Sequence, residues 1–277
     1  MRVYGEHFDP MHFDLGQLYW QDYLPLIQQF NGRQFPGCSQ LNSLLPNGLV
    51  SQSGHKIRFV PSTELDEEAY EIRIYTTGQV STRANNWHDL FNALVWMRFP
   101  RIKTAMNALH YKAWSQQPEG NRGQLRDALT LFDECGVIVA SAHTELLTAL
   151  SGRRWPTAFQ HLRSHWGTQL QVAITGHAML EKYLSPYKSM TAKALLINTE
   201  HEYTDRNELL EFLDREIAEH LLHETILTKP ACLAPLPLAG IPGWWPEATQ
   251  NERFYNDVNV FRPPAGSLTP APVYGLP

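Results

Sequence analysis

The sequence predicts an α+β fold, a helix-rich single domain with short antiparallel hairpins and an irregular C-terminal tail rich in proline and aromatic residues. Three observations predict it. Apolar residues recur at helical spacing across 86–114 and 205–226, strand-like alternation is confined to short runs, and ten of the nineteen prolines fall at or after residue 230. With 277 residues, 43% of them hydrophobic and 18% charged, the chain is long enough to bury a substantial core as one unit. We read 1–54 as a helical and loop segment, 55–229 as the α+β body and 230–277 as a tail wrapped over that body.

Taken in order, "QLYWQDYLPLIQQF" (17–30) has helical periodicity cut by Pro25, and the run that follows it is loop-like. "HKIRFV" (55–60) and "AYEIRIYTTG" (69–78) alternate in the manner of strands, with Ile57 and Phe59 in one and Tyr70, Ile72 and Ile74 in the other, which predicts an antiparallel pair. From residue 86, Leu90, Phe91, Leu94 and Val95 share a helical face, and Pro100 ends this helix while starting a second one that runs to about Trp114. "DALTLFDECGVIVAS" (127–141) reads as a β-hairpin whose turn uses Gly136 at positive φ. Helices over 142–151, 155–165 and 176–184 follow, with a short strand in "KALLIN" (193–198). A long amphipathic helix then spans "DRNELLEFLDREIAEHLLHETI", with Asp205 close to its cap and Leu210, Leu213, Ile217 and Leu221 on one stripe. In the tail the prolines forbid regular helix or central strand, and Trp244, Trp245, Phe254, Tyr255 and Phe261 predict a packed segment.

A formal net charge of -5 and the lack of any Lys/Arg run exclude an electrostatic footprint for nucleic acid, so no nucleic-acid partner is expected. The first residues lack a signal-peptide pattern and no apolar run approaches the ~20 residues that span a bilayer; no membrane partner and a cytoplasmic location are therefore expected. Cys38, Cys135 and Cys232 are far apart and never paired as C-x-x-C, which reads as free thiols. Oligomeric state and cofactor are unknown from the sequence.

The segments "TTGQVSTRANNWHDLFNALVWMRFPRIKTAMNALH", "LRDALTLFDECG", "TGHAMLEKYL" and "LPLAGIPGWWPE", the last followed by "FYNDVNVFRP", together resemble a bacterial family catalogued as domain of unknown function 3025. The resemblance runs from the first strand pair to the tail. It implies membership alone, because the family has no assigned activity and so carries over no catalytic residue. It also implies Asn or a similar turn former where Cys135 stands, which makes Cys135 an incidental turn residue.

The candidate site comes from the residues themselves. On the first long helix, His88, Asp89, Asn92 and Trp96 fall together, a set unlike the Lys, Glu and Gln of a plainly solvated face. Against a functional role, Asn86 is a good N-cap and Asp89 suits the positive helix end for structural reasons alone. The second helix brings Lys103, Asn107, His110 and Trp114 to one side, and His110 reads equally as a helix-end residue beside the negative dipole. Arg83 next to free helix N–H groups offers an anion site, or simply an ion pair for Asp89. Arg122, Arg126, Asp127, Asp133 and Glu134 bracket the expected hairpin; Asp127 is the candidate acid or metal ligand, against a structural Arg–Asp pairing. His177, after Gly176, fits a neutral base or a buried core histidine, the latter preferred. Glu216, His220 and Glu224 have metal-ligand spacing and read better as a solvated face. No serine-hydrolase elbow, phosphate loop or dinucleotide fingerprint is present.

Two functions follow. One is a hydrolase-like enzyme acting on a small anionic substrate, with His88 as general base, Asp89 orienting it or binding metal, His110 and Asp127 as further catalytic groups, and Arg83, Asn86, Asn92, Lys103 and Asn107 binding substrate. The other is a non-catalytic module that uses the same cleft for a ligand or protein. The discriminating feature is a second titratable group, His110 or Asp127, within hydrogen-bond distance of His88.

Overall fold

A computed structural model describes residues 16–30, 34–64, 69–116, 123–264, 266 and 269–277. Its elements in chain order are α1 (Leu24–Ile27), α2 (Cys38–Leu44), β1 (Arg58–Pro61), α3 (Tyr70–Thr77), β2 (Gln79–Thr82), α4 (Trp87–Arg98), α5 (Pro100–Gln116), α6 (Gln124–Cys135), β3 (Gly136–Ser141), α7 (Thr144–Ser151), β4 (Leu170–Ile174), α8 (His177–Lys182), β5 (Thr191–Thr199), α9 (Arg206–Leu222), β6 (Ala234–Pro237), α10 (Glu252–Tyr255) and β7 (Val273–Leu276). Helices outnumber strands, and the class is α+β as the sequence predicts. Buried apolar side chains from Tyr19 to Leu276 form one continuous cluster. Among the described residues no helix is long and apolar enough to cross a membrane.

Pairing differs from the expected antiparallel hairpins. A five-stranded mixed sheet runs β4-β3-β5-β6, with β7 also on β5. Strand β3 is antiparallel to β4 but parallel to β5. All six residues of β3 are buried, as a strand covered on both faces requires. The far edge of β5 is shared by two tail strands, β6 against Thr191–Ala194 and β7 against Leu196–Thr199. Pro235 and Pro237 thus sit on a strand with a single partner, where a missing N–H is tolerated.

Two segments read as strands are helices. "AYEIRIYTTG" forms α3, and β1 and β2 pair in parallel on either side of it. Gly78 ends α3 in the left-handed region at φ 73°, pressed against the backbone of Lys56, so its role as a helix stop outweighs the period-two alternation before it. In "DALTLFDECGVIVAS" the expected hairpin is instead the end of α6 running directly into β3. Gly136 is extended there (φ -73°, ψ 145°), and its lack of a side chain serves a close approach described below.

The remaining elements keep closer to expectation. Pro25 lies in the first turn of α1, where its missing N–H costs nothing, after a single 3-10 turn at Leu18–Trp20. The region 155–165 holds one π-helical turn and one 3-10 turn, followed by β4, which the sequence reading did not include. Tail aromatics pack as expected: Trp244, Phe254, Tyr255 and Phe261 are buried and Trp245 is half-buried. Phe159 lies at the centre of this region, within 6 Å, ring centre to ring centre, of Trp155, Trp166, Tyr255 and Phe261.

Candidate functional site

The start of α4 is built by its own sequence. Asn85 takes the left-handed conformation (φ 53°), which asparagine tolerates, and turns the chain so that Asn86 caps the helix by accepting the Asp89 N–H at 3.0 Å. Asp89 answers by accepting from Arg83 three times, from the backbone N–H at 2.7 Å, from Nε at 3.0 Å and from Nη2 at 2.6 Å. That reciprocal clamp leaves His88, at the second helical position, with Nδ1 3.2 Å from Asp89 Oδ1 and its side chain one-third exposed. Burial pushes the Asp89 carboxyl up, but the bonds from His88 and Arg83 outweigh it and hold the group well below the usual carboxylate range.

A second wall comes from two glycines far apart in sequence. The Gly136 carbonyl accepts from both Thr175 N–H (3.0 Å) and Gly176 N–H (2.8 Å). A Cβ on Gly176 would overlap the backbone of Glu134, Cys135 and Gly136, and one on Gly136 would overlap Phe132 and Thr175. Only glycine at both positions lets the α6–β3 junction touch the β4–α8 junction. The contact sets Glu134, in the last turn of α6, beside His177, the first residue of α8.

Across the gap His177 Nε2 lies 3.1 Å from His88 Nε2, with the rings nearly perpendicular at 88°. Glu134 approaches both, Oε2 at 3.7 Å from His88 Nε2 and Oε1 at 3.7 Å from His177 Nε2, which are ion-pair distances longer than hydrogen bonds. On its other side His177 Nδ1 is 3.7 Å from Asp133 Oδ2 and has no hydrogen-bond partner among the described residues. Asp89 and then Glu134 raise the His88 pKa to about 9, whereas burial lowers that of His177, which is 4% exposed. Two ring nitrogens this close share one proton, so the charged His88 donates and the neutral His177 accepts. The Glu134 carboxyl is lowered by the His88 imidazolium.

Behind this row lies a buried polar network. Lys103, 4% exposed, donates to Asp133 Oδ1 (2.5 Å) and Asn92 Oδ1 (2.9 Å), and Asn92 Nδ2 donates to the Tyr70 hydroxyl (2.8 Å). Burial would raise the Asp133 carboxyl, yet Lys103 and His177 keep it below its ordinary value. Asn107 donates to the backbone and carboxylate of Glu71. These layers border a cavity of about 490 Å³ that is lined also by Arg126 and Thr130 of α6. Arg126 Nε is buried and has no hydrogen-bond partner among the described residues.

Of the residues the sequence proposed, Arg83, His88, Asp89, Asn92 and His110 line the cavity together. Lys103 and Asn107 stand behind it around a smaller adjoining pocket. Asn86 is committed to the helix cap, and Asp127, in the first turn of α6, is not among the lining residues. Arg122 lies outside the described residues. Besides the adjacent Asp89, His177 stands within hydrogen-bond distance of His88, and the sequence reads it as a core histidine. Glu216, His220 and Glu224 bond instead to Arg215, Thr225 and Lys112 respectively. Glu134, His177 and Arg126 are the residues the sequence reading underweighted. One signal for them exists: two adjacent acids end α6 with no basic residue in its last turn, against the helix dipole.

The fold and site define a class, an α+β protein with a histidine pair and flanking carboxylates at one end of a polar cavity. The chain belongs to the family described as protein of unknown function (DUF3025), whose model matches residues 57–265 and thus spans every cavity-lining residue. No curated protein and no solved structure matches it.

Proposed function

We propose that this chain is a hydrolase-like enzyme that acts on a small anionic substrate in the cavity between α4, α6 and α8. The observation that carries the reading is the facing pair of His88 and His177 nitrogens, 3.1 Å apart with Glu134 beside them, at the wall of a cavity sized for a small molecule. Two imidazoles whose environments push their pKa values in opposite directions are the pattern of an acid and base assignment. Two imidazole nitrogens and a carboxylate also suffice to activate water, by taking its proton or by holding a cation against which it ionises. The anion preference rests on Arg126, which lines the cavity and whose buried Nε has no acceptor among the described residues; an oxyanion of the substrate would pair with its guanidinium. A net charge of -5 supports a small anion over a polyanion, and with the composition it favours a cytoplasmic setting.

The test is a panel of phosphate monoesters, phosphate diesters and carboxylate-bearing esters and amides, assayed with wild type, His177→Gln and Arg126→Gln. Turnover lost in His177→Gln, with Arg126→Gln raising KM about tenfold at similar kcat, is the expected result. Binding of such anions without turnover, undiminished in His177→Gln, would favour a binding module in the same cavity.

A further inference from the structure

The cluster of His88, His177 and Glu134 has a feature that acid–base chemistry alone leaves unexplained. Glu134 stands 3.7 Å from both facing nitrogens, too far to accept a hydrogen bond from either, although it is held there by the glycine contact between α6 and α8. The three potential ligand atoms all lie within 4.8 Å of one another. In a tetrahedral zinc site with ligands at about 2.0–2.1 Å, neighbouring ligand atoms are about 3.3 Å apart. The two nitrogens are 3.1 Å apart and each is 3.7 Å from a different Glu134 oxygen, so one carboxylate oxygen reaches that spacing from both once an ion draws the three groups together.

The surroundings match as well. In metal sites the second nitrogen of a ligating histidine faces a carboxylate that orients the ring and raises its basicity. Here the Nδ1 atoms of His88 and His177 face Asp89 at 3.2 Å and Asp133 at 3.7 Å. Each carboxylate is in turn held by a cation, Asp89 by Arg83 and Asp133 by Lys103. His177 Nδ1, buried and without a hydrogen-bond partner among the described residues, acquires one once its ring is drawn toward an ion and Asp133 closes on it.

We propose that His88 Nε2, His177 Nε2 and the Glu134 carboxylate bind one divalent first-row transition-metal ion of the zinc class, leaving a position open to the cavity. Two imidazoles and one carboxylate select such ions over magnesium and calcium, which prefer all-oxygen sites. The assignment deepens the hydrolase-like reading, on which its catalytic purpose rests, by naming what would activate the water; binding itself is measured with no substrate present.

The full chain, stripped with a chelator, is titrated with Zn²⁺ alone by calorimetry and with Co²⁺ by visible absorption. One ion per chain is expected, with a cobalt spectrum of low coordination number. Binding weakens at least tenfold in His88→Gln and in Glu134→Gln, two half-buried positions whose variants are checked for folding by circular dichroism. Asp89→Asn, a positioning change, weakens it 10–100-fold. No stoichiometric Zn²⁺ binding, or equal affinity in folded His88→Gln and Glu134→Gln, overturns the site. Zinc binding as described with no turnover on the ester panel leaves the site standing and removes the hydrolase-like reading; turnover by chelated, zinc-free protein leaves that reading standing and removes the ion's catalytic role.

Discussion

The starts of α4 and α5 each hold a buried aspartate, and the two aspartates behave oppositely. At α4 the carboxylate is Asp89, three residues from its own cap, tied to Arg83 and facing His88. At α5, Pro100 removes one N–H, and Asp214 reaches across from α9 to accept from Arg101 N–H at 3.1 Å and Ile102 N–H at 2.9 Å. Among the described residues Asp214 meets no cationic side chain at hydrogen-bond distance. Burial therefore dominates and its pKa rises to about 6, whereas the ion pair at Asp89 drives its value down. A helix start needs only an acceptor, and Asp214 shows what that costs when the acceptor is an uncompensated acid. The added guanidinium and imidazole at Asp89 exceed what a helix start requires, which is the contrast on which the proposed site at α4 rests.

The largest expected effect that tests this contrast is its dependence on pH. Asp214 has a folded pKa raised from 3.8 to about 6, so its contribution is fully present below pH 3.8 and is lost as pH rises through 6. Asp89 has a depressed folded value, so its contribution is present above its unfolded pKa and is lost as pH falls. Urea denaturation at pH 4, 5.5 and 7 should show wild type losing stability relative to Asp214→Asn by roughly 3 kcal/mol across that range. Relative to Asp89→Asn it should stay nearly constant over that range and lose stability only below pH 3.8. Parallel curves for the three proteins would mean that the two carboxylates share one environment.

Next in size is Asp214→Ala, which strips two first-turn N–H groups of their acceptor, the one on Ile102 buried. It should cost about 1–3 kcal/mol at pH 7, read from the urea midpoint, and leave Zn²⁺ affinity unchanged. A loss of zinc binding in that variant would make the α5 start part of the site.

How much of this was legible depends on how far along the chain the cause lies. The caps at Asn86 and Asp205 and the break at Pro100 are local events, and the sequence places α4, α5 and α9 correctly. Asp214 caps a helix more than a hundred residues earlier, and His177 meets His88 across 89 positions, so neither role has a local signature. Gly136 illustrates the difficulty. A glycine between apolar runs reads as a turn, while its function depends on Gly176, forty residues on, pressing against it. Reading α6 as a hairpin in turn moved Asp133 and Glu134 to a turn, where acids are unremarkable, instead of a helix end, where they oppose the dipole. The polar helix start drew attention to the correct wall of the cavity, and the second wall required the fold.

The smallest expected effect separates capping from function inside α4 itself. Asn86→Ala removes the acceptor of the Asp89 N–H and should cost ~1 kcal/mol, the ordinary value of an N-cap. His88→Ala should cost no more than that in chelator-treated protein at pH 9.5, where the contribution of its charge is gone. Its side chain is one-third exposed and Asp89 keeps three hydrogen bonds from Arg83; the acceptor left without its donor is His177 Nε2, which lines the cavity. What His88 does contribute is charge. Its folded pKa of about 9 lies above the unfolded 6.5, so that contribution is complete below pH 6.5 and disappears as pH rises through 9. The stability gap between wild type and His88→Ala should therefore narrow between pH 7 and pH 9.5, while the gap for Asn86→Ala stays constant. A His88→Ala loss clearly larger than that of Asn86→Ala and independent of pH would identify His88 as a packing residue of the fold. It would return the whole α4 start to the same structural role that Asp214 plays at α5.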